Sequence, residues 1–150
     1  MAAEYLAPTQ TISLNSPANF IASIPCTRGY VYHEDGTGIF ILRGIVNNPC
    51  ANFAQYEIEL NANIAVPEGG TAAPIAMSVM VNGESKPSSV AISTPTAVNA
   101  YNHITSSAII KVPRGCCFTV SVDAVPANTT DTPAPTISMA NGQLKINRIA

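Results

Sequence analysis

An all-β fold, a two-sheet antiparallel jelly-roll sandwich of about nine or ten strands, is what this sequence predicts. Apolar residues recur with period two in several segments, and turn residues cut the chain at intervals of about 8–12 residues. No segment of helical length shows an apolar stripe, and 12 prolines and 9 glycines are spread along the chain.

Strands are expected near 9–14, 18–23, 29–33, 38–46, 53–66, 73–82, 88–93, 101–112, 116–125 and 135–149. The clearest is "YEIELNANIAV", where Tyr56, Ile58, Leu60, Ala62, Ile64 and Val66 alternate with Glu57, Glu59, Asn61 and Asn63. Such alternation marks a strand with one buried face. Ile75, Met77, Val79 and Val81 repeat the pattern, as do Ile104, Ser106, Ala108, Ile110 and Val112. Asn82-Gly83 and Asn141-Gly142 are strong two-residue hairpin signals, because both central residues of a type I′ turn need positive φ. The second places a hairpin inside 135–149. "EDGTG" joins two further strands, and Pro67 and Pro113 end strands where a missing N–H is tolerated. An immunoglobulin-like sandwich is disfavoured by the absence of tryptophan and of a Cys…Trp…Cys spacing.

The chain has 150 residues, 11% of them charged against roughly 25% in an ordinary soluble domain. A net charge of −2 offers no basic footprint for nucleic acid. No stretch reaches the roughly 18 apolar residues of a membrane helix. "MAAEYLAPTQ" lacks the basic and apolar regions of a secretory signal, so synthesis in a reducing cytoplasm is expected.

Of the four cysteines, Cys116 and Cys117 are adjacent in "VPRGCCFTVSVDAV". On a strand they face opposite ways. Cys116 is expected buried with Phe118, Val120 and Val122, and Cys117 exposed with Thr119, Ser121 and Asp123. Cys26 and Cys50 follow prolines in loops. Pairing could run 26–116 with 50–117, 26–117 with 50–116, or 26–50 alone, whereas a reducing compartment favours thiols. Cys26, Cys50 and Cys117 are the candidates for a disulfide or a cross-link between neighbouring chains.

No zinc spacing such as C-x₂-C occurs, and no cofactor is expected. His33 and His103 read as surface or edge residues, Glu57 and Glu59 as charges on a solvated sheet face. Asn128-Thr129-Thr130 matches a glycosylation acceptor, which the absence of a secretion signal discounts. An enzyme is not expected.

The anomaly is apolar residues on faces that should be polar. "GIFILRG" is apolar on both sides, Ile39 and Ile41 against Phe40 and Leu42. Met80 and Ile109 interrupt polar faces, and Ile149 lies near the very end of the sequence. A covering loop is one explanation. The other is a subunit interface formed by Phe40, Leu42, Met80, Ile109 and Ile149.

Ending in "NGQLKINRIA", the chain resembles the trimeric C1q/TNF-like jelly rolls, including the heads of bacterial collagen-like surface proteins. "RGYVYHEDGTGIFILRG", "NIAVPEGG" and "VPRGCCFTVSV" are similar to small proteins of phages and prophages of gut Firmicutes. The resemblance spans nearly the whole chain. It implies a non-enzymatic virion protein, a capsid decoration (cement) or head-fibre protein on the capsid surface. Such a protein would form a homotrimer, bind a phage major capsid protein, and be made in the bacterial cytoplasm. Nucleic acid and membrane are not expected partners. Residues 1–25 would then be an N-terminal arm holding the first strands, a candidate for capsid attachment, and 26–150 the jelly-roll domain. There is no Gly-X-Y stalk, and Asp35, Asp123 and Asp131 are too scattered for a calcium cluster. The alternative is a receptor- or glycan-binding head using loops 34–38 or 125–135, for which Tyr5, Tyr30, Tyr32, Tyr56 and Tyr101 are the available tyrosines.

Overall fold

The long alternating segments become the long strands. In a computed structural model, residues 2–13, 15–24, 30–34, 36–44, 50, 52–127 and 136–149 are described, with backbone alone for 2, 3 and 22–24. Among them are twelve strands: β1 (Ala2–Leu6), β2 (Gln10–Ile12), β3 (Ala22–Ile24), β4 (Val31–His33), β5 (Phe40–Arg43), β6 (Phe53–Ala65), β7 (Ile75–Val81), β8 (Glu84–Ser85), β9 (Ala91–Ser93), β10 (Asn102–Pro113), β11 (Cys117–Val125) and β12 (Ile137–Arg148). A 3-10 turn, Pro87–Ser89, precedes β9.

Two antiparallel sheets face each other. The first runs β10-β6-β12-β1-β3, with β2 also on β12; the second runs β4-β5-β11-β7-β8, with β9 also on β7. From β5 onward the chain changes sheet at β5–β6, β6–β7, β9–β10, β10–β11 and β11–β12. That repeated crossing is the winding of a jelly roll.

Between the sheets lie the expected inward sets. Tyr56, Ile58, Leu60, Ala62 and Ile64 are fully buried on β6, as are Met77 and Val79 on β7. Ile104, Ser106, Ala108, Ile110 and Val112 are buried on β10. Tyr56 also ties the sheets together. Its hydroxyl donates to the Arg43 carbonyl at 2.5 Å, with the Tyr30 carbonyl at 3.3 Å. The Arg148 guanidinium lies 3.9 Å from the Tyr30 ring centre. Tyr56→Phe keeps the ring and deletes the donor, and is expected to cost about 1 kcal/mol. It should lower the urea midpoint with an unchanged slope.

Several expectations are corrected. Phe40 and Leu42 are fully buried, so neither can form a subunit interface. Phe40 stacks on His33 (ring centres 4.2 Å apart, 13° between planes) and meets Tyr5 at 4.6 Å and Phe20 at 5.4 Å, both edge-on. Where both faces of a strand are apolar, the face that completes an aromatic cluster goes inward. His33 lies on the edge strand β4, as expected, but is half-buried with its ring in this cluster and its Nε2 2.9 Å from the Thr37 carbonyl.

Asn141-Gly142 makes no hairpin. Asn141 has φ 56, yet β12 continues through it. Ala140 opposes Asn63 and Gln143 opposes Asn61, three steps on β12 against two on β6, which is a β-bulge. The extra residue switches the inward parity from Ile137 and Met139 to Leu144 and Ile146. Asn82-Gly83 does turn, with φ 51 and 85, between Val81 and Glu84.

Cys116 lies in the turn before β11, where its N–H donates to the Pro113 carbonyl at 3.1 Å, and it is exposed. Cys117 and Thr119 are exposed as expected, but Ser121 and Asp123 are buried, the Ser121 hydroxyl donating to Asp123 at 2.6 Å. The N-terminal segment also differs. The first strand is β1, earlier than the 9–14 expected, and it lies between β12 and β3.

Candidate subunit interface

The strand registers turn the outer face of the first sheet into rows of side chains. Across β10, β6, β12 and β1 run Thr105–Asn61–Gln143–Leu6 and Ser107–Glu59–Lys145–Glu4. Next comes Ile109–Glu57–Asn147, then Lys111–Gln55, then Pro113–Phe53. Apart from Leu6, the upper rows are polar and internally bonded. Thr105 Oγ1 donates to Asn61 Oδ1 at 2.9 Å, and Asn61 Nδ2 donates to Glu59 Oε1 at 2.9 Å. His103 Nδ1 lies 3.1 Å from Asn63 Oδ1, and Asn63 Nδ2 donates to Asn141 Oδ1 at 3.3 Å. Such pairing holds a flat polar face in one side-chain arrangement.

The lower rows are different. Ile109 is 51% exposed, Ile149 43% and Phe53 39%. Ile149 is brought alongside β6 by its N–H, which donates to the Gln55 carbonyl at 2.9 Å. The Lys111 ammonium lies 4.8 Å from the Phe53 ring centre. Three large apolar side chains thus share one end of one sheet face, where a solvated sheet would carry polar residues.

The five residues that the sequence singled out as an interface therefore separate. Ile109 and Ile149 come together at the lower end of the first sheet. Met80 is half-buried on the second sheet, opposite Ser121. Phe40 and Leu42 are core. Phe53 was missed, although its parity with Gln55, Glu57 and Glu59 makes it an aromatic on a polar face. The second sheet also exposes Tyr32 (60%), opposite Ile41. Of the cysteine candidates, Cys26 lies outside the described residues, Cys50 is exposed, and Cys117 is exposed with a free thiol. Asn128-Thr129-Thr130, Asp35 and Asp131 also lie outside them.

His33 is in the aromatic cluster, and His103 stands at the start of β10 while Cys116 lies beyond its end. Among the described residues, no group of three or more His, Cys, Asp or Glu is placed to hold a metal. Among them no helix is long and apolar enough to cross a membrane.

Two crossing sheets of this order define an antiparallel jelly-roll sandwich. No family model and no curated protein matches the chain. Solved structures do. The globular domain of zebrafish complement 1qA protein superposes with a TM-score of 0.62 at 10% identity, covering 99% of this chain and 97% of that one. Eiger TNF from S. frugiperda gives 0.66 at 12% identity, covering 100% and 92%. Murine APRIL gives 0.64 at 10%, covering 99% and 98%. The fold is the C1q/TNF-like jelly roll.

Proposed function

We propose that this protein is a non-enzymatic structural protein that assembles as a homotrimer through the lower end of its first sheet. The observation that carries this is the exposure of Phe53, Ile109 and Ile149 on one sheet face. Burying them against a neighbouring copy returns roughly 25 cal/mol per Å² of apolar area before association costs. Three copies related by a threefold axis close such a head-to-tail contact into a ring. The likeness to C1q and TNF domains supports the same reading.

Within it, the particular role is a phage capsid decoration or head-fibre protein, with a major capsid protein as partner. Its support is the sequence resemblance and the low share of charged residues. A glycan- or receptor-binding head is the second reading, favoured by Tyr32, exposed beside the β4–β5 hairpin.

Light scattering on a sizing column tests the assembly. A mass near three times 15.6 kDa is expected, and Ile109→Asp should return single chains that melt as cooperatively as the parent. A single-chain mass for the parent rejects the trimer. Peptide mass spectrometry of purified virions tests the role, for which presence in the particle is expected and absence rejects it.

A further inference from the structure

The β10–β11 turn presents something the assembly does not use. Cys116 and Cys117 are both exposed, and both carry free thiols. The turn frees them from the opposite-face rule, because Cys116 precedes the strand that Cys117 begins. Both are held in place by backbone bonding. The Cys116 carbonyl accepts from Gly44 N–H at 2.9 Å, and Cys117 is paired with Arg43. Gly44 is required there, since a Cβ would run into the Pro113 carbonyl oxygen.

These constraints set what the two thiols can bond to. Adjacent Cα atoms stand about 3.8 Å apart across a trans peptide. A disulfide needs roughly 4.4–6.8 Å. Closing Cys116 on Cys117 would distort the turn or unpair the strand, so each thiol is directed to a sulfur outside its own pair.

We propose that Cys116 and Cys117 form a bivalent cross-linking site, through which a small disulfide oxidant joins copies of this chain covalently. The thiolate of one cysteine attacks a sulfur of oxidised glutathione. The glutathione S–S bond breaks, and one glutathione leaves and takes up a proton, giving a mixed disulfide. A thiolate from a second copy attacks the protein sulfur of that mixed disulfide and releases the second glutathione. Two protein thiols lose two electrons and two protons, and one oxidised glutathione becomes two reduced molecules. Two adjacent thiols per chain let one copy bond to two others, so the product extends past dimers.

The test treats the native full chain with oxidised glutathione and separates it on a non-reducing denaturing gel. A ladder of two, three and more chains is expected, collapsing to one band with reductant. The double variant Cys116→Ser/Cys117→Ser keeps Cys26 and Cys50, and should lose at least about nine-tenths of the cross-linked material. Because both side chains are exposed, it should melt like the parent. A ladder that survives in the double variant overturns the proposal. So does a parent that stays a single chain on the gel. Light scattering in reductant reads non-covalent association separately, so a missing trimer and a missing cross-link are told apart.

Discussion

Phe40→Ala is expected to lower the free energy of unfolding by about 3–5 kcal/mol. Ile39→Ala, one position earlier, should change it by no more than about 0.5 kcal/mol. The two residues look equivalent in the string "GIFILRG", yet Phe40 is fully buried and Ile39 is 45% exposed. Truncating Phe40 removes the ring on which His33 stacks and which Tyr5 and Phe20 meet edge-on. The surrounding strands are paired and cannot collapse into the hole. Urea midpoints of the two variants measure the difference. A larger effect at Ile39 than at Phe40 would mean that β5 faces the other way.

Removing residues 1–12 is expected to abolish the cooperative thermal transition followed by circular dichroism. β1 is paired on both sides, from Ala2 to Leu6 with β12 and from Glu4 to Leu6 with β3. Tyr5, only 3% exposed, belongs to the aromatic cluster. Without this segment β12 loses β1 and β2 together, which uncovers a sheet edge and opens one side of the core. An unchanged melting curve would show the segment to be an appendage, as a capsid-binding arm would be. Capsid attachment by residues 1–25 therefore cannot be tested by deleting them, and substitutions of exposed residues such as Leu6 and Ile21 are the usable probes.

The long strands were legible because their alternation is unambiguous. On β6 and β10 every expected inward residue is buried, since polar partners occupy the other face. Legibility failed where that contrast was missing. β5 is apolar on both faces, and its orientation is set by aromatic neighbours from β4, β1 and residue 20, the last two distant in sequence. β1 was missed because five residues ending in an exposed Leu6 carry too little pattern, and pairing to the far end of the chain makes them a strand. Asn141-Gly142 misled for a different reason. A positive φ at Asn141 serves a hairpin or a bulge equally well, and the continuation of β12 on β6 decides between them. At the candidate interface, Ile109 stood out as an apolar break in a polar face, and Ile149 by its position near the end of the sequence. Phe53 needed the parity of β6 to be carried one step past its visible start.

The pairing of β1 with β12 also has a consequence in time. On the ribosome Tyr5 emerges well before Leu144, its partner on β12. Until β12 follows, β1 has only β3 beside it, and its other edge stays open. Closure of the first sheet waits for β12, as expected for folds dominated by distant contacts. During that interval β12 of another nascent chain is as good a partner as the chain's own. Copies made close together on one message are thus exposed to strand exchange at the same site that, once filled, completes the sandwich.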